Sequence, residues 1–327
     1  MAPIAISIAS DDYDRVRALQ SGQVGVKGCA VTYLTLPPSE TFTRLFNHQE
    51  FDVSEMSLST YMLARSKGAC SYQAIPVLLW RVFPHCSIWI RTDRGISGPE
   101  DLKGRTIGAP SYHFTRLLCV RGMLQDEYGV RPADIRWRIG GYNVPKRRNY
   151  VGAEPPDGVE VETIGASKSL NGMLEAGELD AVIGARDPLA FIEGAPHIDR
   201  LFPDFRPLEQ AYYKKTSIFP VMHVIGVRES LIEAHPWLAR NLMMAFQESK
   251  AACLPSLAEL DALTVTLPWL VAEYEGTVRL MGEDFGPYGI EPNRPTLEAE
   301  IRWSFEQGLS SRRWNVEELF VESTHDW

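Results

Sequence analysis

The 327 residues, 45% of them hydrophobic and 23% charged, suffice for a large core and exceed one ordinary domain. A net charge of -9 argues against nucleic acid as the main partner, because phosphate binding needs a basic face. A local basic pocket for a small anion stays open. Cys29, Cys70, Cys86, Cys119 and Cys253 are odd in number, widely spaced and free of any CxxC. They argue against a zinc ribbon or disulfide framework and for a reducing compartment.

The first apolar run, Ile4 to Ala9, has no basic n-region before it and no full apolar h-region. It predicts a first strand rather than a signal peptide. No run reaches the roughly 18 apolar residues of a membrane span. A cytoplasmic protein is therefore expected. The next stretch, DDYDRVRALQSGQV, is dense in charge. It is either a solvated turn or the end of a strand that delivers its charges into a site.

The chain then echoes itself. LFNHQEFDV at 45–53 and MLEAGELDA at 173–181 each end an amphipathic helix, turn at an acid (Glu50, Glu178) and reach Asp52 or Asp180. Each then enters a short apolar stretch, which is an α/β unit. The starts match too. IAISIAS leads into DDYDRVRAL, and RTIGAP leads into SYHFTRLLCVRGML. Gly25-Val26 precedes AVTYLTL as Gly129-Val130 precedes DIRWRI. Two similar α/β lobes follow. The extended segments CSIWIRTD (86–93) and SIFPVMHVIGVRES (217–230) connect them as two crossovers. The expected division is 1–91 and 224–327 for lobe one, and 92–223 for lobe two. No Gly-x-Gly-x-x-Gly or Walker-type loop appears, so no nucleotide signature is present. HPWLARNLMMAFQESKAACL has helical apolar spacing. TLEAEIRWSFEQGL places Glu298 and Glu300 in the first turns of a second helix. Both helices are expected to pack on lobe one.

A two-lobe α/β chain with two crossovers is a clamshell that holds its ligand in the cleft, at strand ends and helix N-termini. It resembles the type II periplasmic-binding-protein fold. Five stretches converge on such a cleft: DDYDR, SEMSLSTY (54–61), RVFPHCS (81–87), PSYHFT (110–115), and GARDP (184–188) with FPVMHV (219–224) opposite. Free N–H groups at helix starts near Ser57 and Ser111 favour an anion. Arg15, Arg81 and Arg186 are candidates to pair carboxylates in bidentate fashion. The expected ligand is a small acidic, aromatic molecule.

Each candidate has a plainer reading. His85 and His223 are also suited to being hydrogen-bonded core residues, Arg15 and Arg17 to being solvated helix charges, and Glu55 to being a first-turn acid. Asp52 and Asp180 are expected to be structural turn residues. Adjacent strand residues face opposite ways, which argues against a Cys86–His85 nucleophile pair. No HxxxH or HExxH occurs, and whether His85, His223 and Glu55 meet in space stays open.

DYDR at 12–15, FDVSEMSLSTYMLARSKG at 51–68, AIPV at 74–77, IFPVMH at 218–223, HPWLAR at 235–240, GEDFGPYG at 282–289 and NR-x-TLE at 293–298 together resemble the 4,5-dihydroxyphthalate decarboxylase family, over about residues 4 to 320. One departure is Pro84-His85-Cys86, where the family is associated with Arg-His-Ser. The resemblance implies a non-oxidative decarboxylase of aromatic catabolism that forms 3,4-dihydroxybenzoate and carbon dioxide. No organic cofactor is implied, and a divalent metal stays open. On this reading His85 and His223 transfer protons and Glu55 orients a histidine. Tyr13 and Ser57 orient ring substituents, and Arg15, Arg81 and Arg186 clamp carboxylates. The competing readings are a non-catalytic small-anion binding protein of the same fold, and an enzyme of that fold acting on another substrate. The last segment, VEELFVESTHDW, is either a subunit contact in a homo-oligomer or a frayed tail.

Overall fold

The computed structural model describes residues 2–145, 155–259, 261, 263 and 265–327. Its strands are β1 Ile4–Ser10, β2 Cys29–Thr35, β3 Val53–Ser57, β4 Tyr72–Arg81, β5 Ile88–Arg91, β6 Thr106–Ala109, β7 Arg136–Ile139, β8 Val161–Thr163, β9 Ala181–Ile183, β10 Ile198–Arg200 and β11 Val221–Arg228. They form two mixed sheets. The first has the order β2-β1-β3-β11-β4 and the second β7-β6-β9-β5-β10, with β8 outside β7.

Both sheets follow one plan. A central strand has parallel neighbours on both sides: β2 and β3 flank β1, and β7 and β9 flank β6. An antiparallel strand comes next, β11 in the first sheet and β5 in the second. Each is contributed by a crossover. β5 enters the second sheet before that lobe is built, and β11 returns to the first afterwards. The change of sheet therefore falls earlier than the divisions expected at 91/92 and 223/224. β5 already pairs with β9 and β10, and all of β11 pairs with β3 and β4.

The repeated acids show why the echo exists. Asp52 accepts the backbone N–H of Ser7 in β1 at 2.8 Å, and Asp180 accepts that of Thr106 in β6 at 2.8 Å. In each lobe the acid at the helix-to-strand turn satisfies an N–H of the central strand.

The helix Leu238–Cys253 buries Leu242, Met243 and Phe246 against the first sheet, as expected. The helix Arg294–Glu306 packs on the lobe-one helix Leu58–Ser66, as expected, and reaches lobe two as well. Its Trp303 ring lies against Gly122 of the lobe-two helix Thr115–Tyr128, where a Cβ on Gly122 would stand 2.2 Å from the ring. Only glycine permits that approach. The C-terminal segment is docked rather than frayed. Val321 donates its N–H to Ala74, Tyr61 donates its hydroxyl to Leu319, and the Trp327 carbonyl accepts from Ile290. All five cysteines are free. Among the described residues, no helix is long and apolar enough to cross a membrane.

Candidate active site

β1, β3 and β4 end on the edge of the first sheet where β11 begins. β6 and β9 end on the edge of the second where β5 begins. Ligands of open α/β sheets bind at such carboxyl ends. The site is built from the residues that these ends carry.

Glu55 in β3 is fully buried. One carboxylate oxygen accepts the Tyr13 hydroxyl at 2.7 Å and lies 2.5 Å from His223 Nδ1. The other accepts the Asp11 backbone N–H at 3.0 Å. Burial works against ionisation most strongly. The charge and hydrogen bond of His223, with the bonds from Tyr13 and Asp11, outweigh it and hold the carboxyl below the usual range. An ionised Glu55 accepts only, so His223 Nδ1 must carry its proton. That fixes the tautomer and leaves Nε2 as the nitrogen for outward chemistry. The imidazole is held edge-on by Phe42 and Trp80, with centroids at 4.8 and 4.6 Å. β11 breaks register with β4 on both sides of His223, and such irregularities re-aim a side chain.

Tyr13 stays protonated. Burial and the Glu55 charge push its hydroxyl well above the ordinary value. Arg15 lies over the Tyr13 ring at 4.3 Å and donates to the Leu79 carbonyl at 2.6 Å and to Asp14 at 3.1 Å. It braces Tyr13, while Arg17 pairs with Asp12 on the surface. Ser57 caps the helix Leu58–Ser66, and its hydroxyl meets that of Thr115 at 2.9 Å. Ser59 adds a bond to the His113 carbonyl at 2.8 Å. Ser57 thus sits in a clasp between the two lobes' helix starts.

The other sequence candidates separate. Arg81 donates to the Asn293 amide oxygen and lies over Phe219, and burial lowers its guanidinium to about 10. Ser111 shares a hydrogen with His113 Nδ1 at 2.9 Å. Arg186 is exposed. His85–Ser87 form a 3-10 turn, not the strand assumed in weighing a Cys86–His85 pair. His85 is buried between Phe202 and Tyr212, with Nδ1 3.9 Å from Glu209 Oε1. Burial depresses the His85 imidazole to about 4. It raises Glu209 to about 7 against the pull of the Cys86 N–H, Arg116 and Arg200. The proton of this pair therefore resides on the carboxyl. Glu55 and His223 meet directly, whereas His85 turns to Glu209. Among the described residues, no three His, Cys, Asp or Glu side chains converge as a metal-ligating group.

Sequence reading missed Trp80, Arg116, Tyr142 and Glu209. Arg116 is one residue beyond the PSYHFT stretch and Trp80 one before RVFPHCS, so both adjoin segments that it did select. The Arg116 guanidinium stacks over Trp80 at 5.3 Å and donates to Ser87 Oγ at 2.6 Å. Trp80 therefore packs against both His223 and a lobe-two arginine.

No protein-family model matches the chain. The 4,5-dihydroxyphthalate decarboxylase of Comamonas testosteroni is 39% identical over 320 residues, spanning 98% of this chain and 97% of that protein. The protein of the same name from Pseudomonas putida is 38% identical over 217 residues, 66% of this chain and 84% of that one. Among solved structures, the periplasmic aliphatic sulphonate binding protein SsuA of Escherichia coli superposes with a TM-score of 0.53 at 13% identity, covering 98% of this chain and 92% of that one. The alkanesulfonate-binding SsuA of Xanthomonas axonopodis pv. citri bound to MOPS also gives 0.53, at 12% identity and over 98% and 99% of the two chains. The expected clamshell is thus the periplasmic-binding-protein fold, and the chain belongs to the 4,5-dihydroxyphthalate decarboxylase family.

Proposed function

We propose that the chain decarboxylates 4,5-dihydroxyphthalate to 3,4-dihydroxybenzoate and carbon dioxide by acid–base catalysis in the cleft. The observation that carries this reading is the 2.5 Å contact between His223 and the buried Glu55, which also holds the Tyr13 hydroxyl. A carboxylate that fixes an imidazole's tautomer and orientation leaves the opposite nitrogen positioned to act as a base.

The chemistry follows from the substrate. Direct loss of an arene carboxylate would leave an aryl anion. A hydroxyl para to the leaving group removes that difficulty. His223 Nε2 takes the phenolic proton, and the electron pair moves through the ring to the carbon bearing the carboxylate. An acid protonates that carbon, making it tetrahedral. The bond to the carboxylate then breaks, carbon dioxide leaves, and its electron pair restores the aromatic ring. The base returns its proton to the phenolate oxygen, so one proton is consumed per turnover. Because the ring itself accepts the electrons, an organic cofactor is not needed. We assign the acid to the His85–Glu209 pair, with the proton on Glu209.

The test is carbon dioxide release from purified protein with 4,5-dihydroxyphthalate, measured with and without a chelator. Release should occur and should fall roughly 10²–10⁴-fold in His223→Gln and in Glu209→Gln. Absence of release by the wild type would remove the substrate. Loss on chelation would introduce a metal that the acid–base scheme lacks. Undiminished release in His223→Gln would remove its role as base.

A further inference from the structure

Around Arg116, lobe two leaves several buried polar atoms without a protein partner: Arg116 Nε, the Tyr142 hydroxyl, His85 Nδ1 and Glu209 Oε1. Stranded donors and acceptors cost free energy unless a ligand or water completes them. Arg116 is 9% exposed, and among the described residues no carboxylate lies within ion-pair distance of it. Its neighbour Arg200 is otherwise engaged, with the Cys86 carbonyl and with Asp187 at 2.9 Å. Arg116 gives Nη1 to the neutral hydroxyl of Ser87, and the Cys86 side chain also bonds its guanidinium. The buried Nε is left over, on a guanidinium whose planar fork matches a carboxylate.

Tyr142 lies within electrostatic reach of Arg116 and is seated against the backbone. Its ring rests on Gly184, where a Cβ would come within 2.5 Å of it. Burial raises the Tyr142 hydroxyl well above its ordinary value, although the charges of Arg116 and Arg200 act on it in the other direction. The group is therefore a protonated donor within electrostatic reach of both guanidinium groups. Arg116 is also joined to the base through Trp80, which packs on both.

We propose that Arg116, assisted by Tyr142, is the anchor for the substrate carboxylate that is not lost, so that lobe two selects a benzene-1,2-dicarboxylate over a monocarboxylate. The substrate class rests on the decarboxylation proposed above, but the anchor can be tested without turnover. Phthalate has both carboxylates and no hydroxyl, so it binds without reacting by this route. Benzoate has one carboxylate.

Calorimetric titration of the full chain with the two compounds should give at least tenfold tighter binding of phthalate. Arg116→Gln should abolish that preference. Arg116→Lys, which keeps the charge but not the fork, should lose most of it, and Tyr142→Phe should lose several-fold. His223→Gln should keep it. Thermal unfolding midpoints of all variants identify any that fail to fold, in which case the lysine and phenylalanine variants decide. A wild type without preference, or an Arg116→Gln protein that retains it, overturns the anchor. An Arg116-dependent preference in a protein that releases no carbon dioxide would sink the decarboxylation and leave the anchor standing. Carbon dioxide release with unchanged kcat/KM in Arg116→Gln would do the reverse.

Discussion

Glu55 is the residue on which the lobe-one half of the site turns. A carboxylate at 0% exposure is tolerable only because three donors converge on it: the Tyr13 hydroxyl, the Asp11 N–H and His223. Removing one donor has a predictable sign. Tyr13→Phe deletes a bond that favours the charged form, so the Glu55 carboxyl rises. Catalysis that requires ionised Glu55 fails as pH drops through its pKa. The acidic limb of the kcat–pH profile should therefore move to higher pH, with a fall in kcat of roughly 3–10-fold for a net loss near 1 kcal/mol. A lower kcat with an unmoved acidic limb would mean that Tyr13 only packs. Glu209 governs the other limb. Its proton is lost near pH 7, so activity should decline as pH rises through that region. A flat profile from pH 6 to 8 would remove Glu209 as the acid.

At the scale of elements, the site depends on how closely two helices approach. The helix Arg294–Glu306 is joined to the helix Thr115–Tyr128 by Trp303 against Gly122, Arg302 and Trp303 on Asp126, and Gln307 on Arg121 and the Leu118 carbonyl. Gly122→Ala removes helix-destabilising freedom worth up to about 1 kcal/mol, yet forces a Cβ into the indole at a cost of about 1–3 kcal/mol. The net expectation is a lower denaturation midpoint. Because that helix carries Thr115 and Arg116 at its start, KM for 4,5-dihydroxyphthalate should rise as well. A stabilised Gly122→Ala protein would show that the contact yields without strain. Much of this architecture was legible in the sequence, for local reasons. The paired FDV and LDA turns marked both lobes because each acid must satisfy a central-strand N–H. Tyr13, Glu55 and His223, which the fold brings into contact, were singled out because strand ends and a crossover announce themselves by charge after apolar runs. Arg116 and Trp80 were not. An arginine in the first turn of a helix reads as a solvated charge, and a tryptophan at a strand end reads as core. Only the packing of the lobe-two helix against the end of β4 brings them together. The role of Glu209 likewise depends on burial by a helix distant in sequence.

For the whole molecule, the decisive feature is that one C-terminal helix grips the returning crossover. Thr296 accepts the Phe219 N–H at 3.1 Å, and Glu300 accepts the Val221 N–H at 2.6 Å in the returning segment. The charge of Arg81, at the end of β4, also acts on Glu300. Glu300 is fully buried, and its second oxygen has no partner. Burial lifts its carboxyl to about 8, beyond what the Val221 N–H, Arg81 and Cys119 can offset. The folded chain thus holds this proton more tightly than the unfolded chain, whose carboxyl titrates near 4.5. The stability that it contributes is complete below pH 4.5 and is lost as pH rises through 8. His85 and His113 act in the opposite direction. Burial lowers both from 6.5 to about 4, so their contribution is present above 6.5 and fades as pH falls towards 4. Glu300→Gln separates the two trends. Glutamine keeps an acceptor for the Val221 N–H and imitates the neutral acid. The variant should match the wild type in urea unfolding at pH 5 and exceed it at pH 9, with the acidic fall unchanged. Parallel stability curves across that range would mean that Glu300 is ionised in the folded chain, in which case Arg81 would have to be its ion-pair partner.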